Sequence, residues 1–393
     1  MNPKTAAIFV VILLAASSVA IWFAYSGNEN DEDTGENGET ITVTDMEGRE
    51  VVMTLPVTRV AITSSDLVDV LASVAGEGWE ELLVMWPEDM VSREPSKYDL
   101  YMESCPSLAD LPACPDLFSG NLGHFPCEEI AVTEPDVVLV NKETMDWLQI
   151  NEESYRMLTH TGIAVVYLDF INGIFEGDKC RNNLEILGQI LQQEDRADAI
   201  ADYFEEQVKT VNELLDAIPE SEKGKTIYFE IPGTSATEYG ITPGSNTPEQ
   251  VYLGAVNVTT ELGLSYSIIS REQLASIDPD YICFCMSTYY GSQESALFGY
   301  NQYTDEETLS EMSSAFLSRA GWSELNAVKN GDVLFYYAEF RCLPAGFVNI
   351  QVLAKLMYPE YFEDIDPLEN LEGYFEEFMP FEIDGTWAYQ ISA

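Results

Sequence analysis

Basic residues are scarce in this chain. Lys and Arg number 18 in 393 residues against 68 Asp and Glu, with two His, so the formal charge at neutral pH is −50. That shortage excludes a nucleic-acid binder, whose affinity comes from Lys and Arg displacing phosphate counterions. An anionic lipid surface would repel the chain for the same reason. Also missing are a Cys-x-x-Cys pair, a nucleotide-binding Gly-rich loop, a Gly-x-Ser-x-Gly elbow and a His-Glu-x-x-His helix. Their absence removes the common signatures of zinc, phosphate and nucleophile chemistry. General acid–base work would fall to carboxylates, which are too numerous to single out.

What is present is enough for real cores: 46% of residues are apolar and 11% aromatic. Wholesale disorder is excluded, and the length suits two or three domains. Such an acidic surface suits a salt-rich medium, where at about 1 M salt the Debye length is about 3 Å and self-repulsion is muted. An ordinary acidic protein is the alternative.

The run Thr5–Tyr25 is uncharged and mostly apolar. About 20 residues span a bilayer, whereas a cleavable signal has an apolar region of about 7–15. Length therefore favours an uncleaved anchor, with cleavage near Ala24-Tyr25-Ser26 as the rival. Lys4 precedes the run, and Glu29, Asp31, Glu32, Asp33, Glu36 and Glu39 follow it. This asymmetry places the N-terminus inside and the rest outside the cytoplasm, on a flexible acidic tether. No cysteine follows the run to take a lipid.

Alternation in Ile41–Asp45 and Glu50–Leu55 around Met46-Glu47-Gly48-Arg49 predicts a β-hairpin. Buried-type strands are predicted at Val60–Thr63, Val137–Val140, Ala164–Leu168, Thr226–Glu230, Tyr281–Cys285 and Val333–Tyr337, alternating with helical patterns. Strand–helix alternation argues for α/β layers with largely parallel sheets. From Arg181 to Ile218 there is no Pro and one Gly, while Leu184, Leu187, Leu191, Ile200, Phe204, Val208, Val211, Leu215 and Ile218 recur at helical spacing. One long helix, or two abutting ones, joins two α/β halves there. Each half carries the same local pattern. Glu128 stands eight residues before Asp136 of Glu134-Pro135-Asp136, and Glu272 eight before Asp280 of Asp278-Pro279-Asp280. A short helix stopped by the proline fits both copies, with the glutamate in its exposed first turn.

With these parts in this order, the chain resembles the two-lobed, helix-linked substrate-binding proteins of ABC importers for iron-siderophores, cobalamin and haem. The resemblance covers roughly Ile41 to Phe381. It is carried by the hairpin Thr42–Val51, the strand Arg59–Ile62, the two Pro-Asp strands, Leu187-Gly188 and the run Trp322–Val333. It implies an α/β fold of two Rossmann-like lobes, with central, largely parallel sheets joined by one long connector helix. The implied division is 1–26 anchor or signal, 27–40 acidic linker, 41–178 N-terminal lobe, 179–220 connector and 221–393 C-terminal lobe. In the family one surface glutamate on each lobe docks onto permease arginines, and by position these are Glu128 and Glu272. Fork-shaped Arg–carboxylate pairing suits that role, although a first-turn glutamate also simply complements a helix dipole. Two departures stand out: Glu129 adjoins Glu128, and the stretch Pro87–Phe125 is longer and richer in cysteine.

Of the seven cysteines, Cys105 and Cys114 are the preferred disulfide pair, separated by a short Pro-flanked loop. Cys283 and Cys285, alternating on one strand, are poor partners for each other. Cys105, Cys114, His124 and Cys127 have the ligand types for zinc or an iron–sulfur cluster but not the spacing, so no metal site is assigned to them.

Ligands of open α/β sheets bind beyond the carboxyl ends of the strands, which face each other across a two-lobed cleft. The candidates there are Ser64, Ser65, Asn141, Tyr239, Tyr289, Tyr290, Phe340 and Arg341. With Tyr300 and Tyr303, the aromatics would line a cleft suited to a flat macrocycle or aromatic chelator, and Arg341 would meet a ligand carboxylate or pair internally. The reading that follows is a non-enzymatic, extracytoplasmic solute-binding protein, membrane-anchored and monomeric. It captures a metal chelate or corrinoid and delivers it to an ABC permease, with no cofactor of its own. A chelatase- or reductase-type enzyme on a related scaffold and a sensor ectodomain are the competing readings. The charge balance favours a neutral or cationic cargo.

Overall fold

The computed structural model of the protein describes residues 38–117, 125–171, 173, 176–244, 249–288 and 292–391. The strands in chain order are β1 (Thr40–Thr44), β2 (Glu50–Thr54), β3 (Val60–Ile62), β4 (Leu83–Pro87), β5 (Ala113–Cys114), β6 (Val137–Asn141), β7 (Ala164–Leu168), β8 (Thr226–Glu230), β9 (Val256–Asn257), β10 (Tyr281–Met286), β11 (Gly299–Tyr300), β12 (Val333–Tyr337), β13 (Gly385–Thr386) and β14 (Ala388–Gln390).

β3, β7, β10 and β12 are runs of apolar and aromatic residues with no alternation, and β6 and β8 are such runs apart from Asn141, Thr226 and Glu230 at their ends, as expected of strands covered on both faces. They form two five-stranded sheets, ordered β5-β4-β3-β6-β7 and β14-β12-β10-β8-β9. Every pairing in the first sheet is parallel. In the second, only β14 runs antiparallel to its neighbour. This is the two-lobed α/β architecture the sequence predicts. β1 and β2 form the predicted hairpin, paired from Thr40↔Thr54 to Thr44↔Glu50.

The Pro-Asp repeat has the same structural role in both lobes. Glu134 and Asp278, the residues before the prolines, sit at φ 47° and φ 50° and turn the chain out of the preceding helix. The following aspartates then pin the start of the adjacent strand. Asp136 accepts from the backbone N–H of Thr58 (2.8 Å) and Arg59 (2.9 Å), and Asp280 from the N–H and hydroxyl of Thr226 (both 2.8 Å).

Of the two forms expected of the connector, the structure has the pair of abutting helices rather than the single long one. Helices Lys179–Leu191 and Glu194–Ala217 are separated at Gln192, which adopts the left-handed conformation (φ 55°). Their crossing needs Gly188, because a Cβ there would stand 2.7 Å from the Ala197 Cβ. Leu184, Leu187, Ile200 and Phe204 pack into an apolar core that runs through both lobes, from Val60 and Val137 to Phe335 and Trp387. Val211, Leu215 and Ile218 pack instead on the outer face of the second sheet. The lobes also touch away from the connector. Tyr101 meets Phe381 edge-on at 5.0 Å between ring centroids, and Gln302 Nε2 donates to Ser96 Oγ at 2.6 Å.

The cysteine pairing is also corrected: all seven thiols are free. Cys105 packs against the through-going core, whereas Cys114 is buried on the other face of the first sheet with Met85 and Val138. Burial pushes the Cys114 thiol well up. Among the described residues no three His, Cys, Asp or Glu side chains come together as a metal site; His124 lies outside them. Nor is any described helix long and apolar enough to cross a membrane. The Thr5–Tyr25 run lies outside the described residues.

Candidate functional site

The carboxyl ends of β3, β4, β6 and β7 carry Ser64–Asp66, Glu88–Asp89, Asn141 and Asp169, and those of β8, β10 and β12 carry Ile231, Ser287 and Ala338–Cys342. Charge from the two sets meets, since Asp66 and Glu94 on one lobe face Glu339 on the other, and Glu143 faces Arg341.

The N-terminal lobe's side is built around a buried cation. Lys97, with a side chain 3% exposed, lies 2.5 Å from Asp69 Oδ2 and 3.2 Å from Glu94 Oε2. Tyr101 donates to Asp69 at 2.6 Å, and Ser65 donates its hydroxyl to Glu94 (2.7 Å) and its N–H to Asp89 (3.1 Å). Burial opposes the Lys97 charge, but Asp69 and Glu94 hold its pKa well above the usual lysine range. Burial and then Glu94 push Asp89 up to about 7. Burial, then Glu94, raises Asp66 well above the carboxylate range, Lys97 opposing and Glu339 adding to the shift. Asn141 caps the helix Lys142–Trp147 through Thr144 N and donates weakly to Asp66 at 3.4 Å. Ser65 is therefore committed to holding the cluster, and Ser64 caps no helix through its side chain.

The C-terminal lobe's side has a different centre. Arg319 is buried against Glu230 at 2.8 Å, donates to the carbonyls of Ala236 (2.7 Å) and Glu238 (2.5 Å), and lies over Tyr239 and Trp322. Gly240 N–H donates to Glu230 at 2.9 Å. These bonds shape the loop after β8, and Tyr239, accepting from Trp322 Nε1 at 2.7 Å, is half-buried within it. Phe340 is only 1% exposed and packs on Tyr300, Tyr337 and Trp387. The aromatic cleft is corrected at these positions: Phe340 and Tyr300 are core behind the cleft floor. Tyr303 is exposed. Tyr289 and Tyr290 lie outside the described residues.

Arg341 lines a small cavity of about 20 Å3 with Glu249, Glu339, Ser287, Cys285, Tyr336, Ala338, Pro243 and Ile231. Ser287 donates its hydroxyl to Glu339. Lys142, which follows Asn141 at the end of β6, is committed to Glu47 (3.1 Å) and Asp146, and Lys179 to Asp169 at 2.8 Å. The described cleft is thus acidic from both sides. Sequence reasoning missed Asp69, Glu94, Glu143 and Glu249, because burial of a few carboxylates among 68 leaves no mark in the chain. Lys97 was the one findable signal, a scarce cation three residues after Glu94 on a helical stretch.

The two sequence-matched glutamates sit where expected. Glu128 is exposed in the first turn of helix Cys127–Val132. Glu272 is exposed in the first turn of Arg271–Ile277, whose N-terminus is closed by a Ser270–Gln273 capping box. Backbone N–H donation and then Arg271, 3.1 Å away, hold the Glu272 carboxyl below its usual range.

Comparison with known proteins gives this site its setting. A family model described as periplasmic binding protein matches residues 101–339. The chain belongs to the periplasmic binding protein family. No curated protein matches it by sequence. Among solved structures, the TroA-like periplasmic binding protein FepB from Veillonella parvula is similar over 90% of this chain and all of its own, at 22% identity and a TM-score of 0.81. The molybdate periplasmic binding protein MolA of a Haemophilus influenzae ABC transporter, bound to molybdate, is similar over 88% of this chain and 99% of its own, at 17% identity and TM-score 0.62. A periplasmic heme-binding protein from Pseudomonas aeruginosa covers 77% and 93%, at 17% identity and TM-score 0.51. These likenesses confirm the two-lobed fold. Periplasmic binding proteins are the solute-capturing parts of ABC transporters rather than enzymes, and the family implies a place outside the cytoplasm.

Proposed function

We propose that this periplasmic binding protein captures a metal chelate of the siderophore, haem or corrinoid class and delivers it to an ABC permease. The observation that carries the reading is the pair of sheets whose carboxyl ends bring charged groups from both lobes to one cleft. Fold neighbours include a haem binder. Delivery would use Glu128 and Glu272, which occupy equivalent first-turn positions and point outward from separate lobes. Two separated Arg–carboxylate contacts fix orientation as well as affinity. The exposed Arg271–Glu272 pair is no obstacle, since solvent screening leaves such surface pairs weak. The apolar Thr5–Tyr25 run would tether the ectodomain to the membrane from which the permease opens.

The test is uptake. E128R combined with E272R abolishes chelate uptake by cells while the purified variant keeps wild-type ligand affinity; a fall in affinity would instead assign these residues to the cleft. Replacing residues 1–26 with a cleavable secretion signal moves the protein from the membrane to the soluble fraction if the native segment is an uncleaved anchor, and leaves its fraction unchanged if the native segment is itself cleaved.

A further inference from the structure

The cavity at the carboxyl end of the second sheet holds an unmet hydrogen-bonding demand. Glu249 is 2% exposed, and among the described residues its Oε2 has no hydrogen-bond partner. A buried carboxylate oxygen without a donor is costly, since desolvation is not recovered. Glu339 lines the same cavity and accepts from the Ser287 hydroxyl. Against these two carboxylates the described wall offers one guanidinium, Arg341, which also faces Glu143 of the opposite lobe. The cavity's volume of about 20 Å3 admits one water-sized group.

We propose that this cavity receives a protonated primary amine of the ligand, with Glu249 and Glu339 as its acceptors, so that the cargo is a chelate with a cationic arm. This rests on the chelate reading above and narrows it. An ammonium head has the size of a water molecule and three donors, enough to satisfy Glu249 Oε2 and Glu339 together. A bare metal ion fits less well, because Arg341 stands in the same wall and the described residues group no three metal-ligating side chains. An anionic arm would meet the two carboxylates. Burial raises both glutamate pKa values, with Arg341 opposing, and a bound ammonium would reverse that shift by favouring the ionised forms.

The test uses two ferric trihydroxamate complexes that differ only at one end: ferrioxamine B, which carries a free ammonium, and its N-acetyl form, which does not. Binding to the intact chain is read from quenching of intrinsic fluorescence, and n-butylammonium chloride at millimolar concentration serves as a chelate-free probe by thermal shift. The proposal expects ferrioxamine B to bind about tenfold tighter than the acetylated complex, and E249Q, or E339Q should E249Q fold poorly, to bring the two within about twofold. It expects butylammonium to raise the melting temperature of the wild type and not of the variant. Equal affinities in the wild type, discrimination that survives both substitutions, or a butylammonium shift unchanged by them would overturn it. If butylammonium acts through Glu249 but neither complex binds, the amine site stands and the hydroxamate form of the chelate reading falls.

Discussion

The two lobes repeat one another in backbone and differ in electrostatics. Each has a largely parallel sheet, a short helix with an exposed first-turn glutamate, a left-handed residue before a proline, and an aspartate that pins the neighbouring strand. At the cleft the resemblance ends. The N-terminal lobe closes its charges on themselves, with Lys97 held by Asp69 and Glu94 and these held in turn by Tyr101 and Ser65. The C-terminal lobe completes Glu230 with Arg319 but, among the described residues, leaves Glu249 Oε2 without a hydrogen bond beside a cavity. One wall of the cleft centres on an ion-paired cluster that sets shape, with Asp169 Oδ1 left without a hydrogen bond among the described residues, and the other leaves Glu249 Oε2 open beside a cavity that a ligand group can enter.

The largest effect should come from breaking the ion-paired cluster. Lys97→Met leaves Asp69 and Glu94 buried without their cation, and removing one partner of a buried pair costs about 3–5 kcal/mol. Urea denaturation measures this, and a loss under about 1 kcal/mol would show that the cluster is not closed around Lys97.

The strand-pinning aspartates sharpen the comparison at a smaller scale. Asp280→Ala removes partly buried bonds to Thr226 and should cost about 1.5–3 kcal/mol, the range for hydrogen bonds to charged groups. Asp136→Ala, at a more exposed copy of the same motif, should cost less by the same assay. Equal losses would remove the distinction between the copies.

A third effect depends on pH. Asp89 is raised to about 7, whereas an unfolded aspartate titrates near 4. The folded state therefore binds the proton more tightly. The stability this group contributes is full below about pH 4 and is lost as pH rises through about 7, at no more than about 1.4 kcal/mol per unit. Asp89→Asn should flatten that part of the stability–pH curve relative to wild type. An unchanged curve would mean that Asp89 ionises normally in the folded chain.

Much of the scaffold is legible in the residues, for definite reasons. Strands covered on both faces must be apolar throughout, so Val137–Val140 and Val333–Tyr337 announce themselves. The connector's leucines and valines recur because one face must stay buried over 24 residues of helix Glu194–Ala217. Its break does not announce itself: Gln192 turns left-handed with no Gly or Pro at the spot, because Gly188 and Ala197 need to pass closely. β4, Leu83–Pro87, and the two-residue strands β5, β9, β11 and β13 are too short, or too plainly apolar, to carry a period.

The site is less legible than the scaffold. Aromatic residues in Gly- and Ser-rich loops suggest a cleft lining, yet Tyr300 and Phe340 fold inward onto Tyr337 and Trp387. Whether a loop aromatic faces solvent or core is decided by distant packing. Likewise Cys105 and Cys114 are close in sequence but lie on opposite faces of one sheet. In a chain with 68 carboxylates, the few that matter at the cleft are distinguished by burial alone.

The central claim is capture of a metal chelate in the cleft between the lobes. Native mass spectrometry of the protein purified from its own cells, paired with the absorption spectrum of the same sample, tests it most directly. The account predicts one metal-bearing small molecule per chain, with an iron–chelate, haem or corrinoid spectrum that disappears when the ligand is released. A chain that carries a metal-free solute at the same stoichiometry would contradict it.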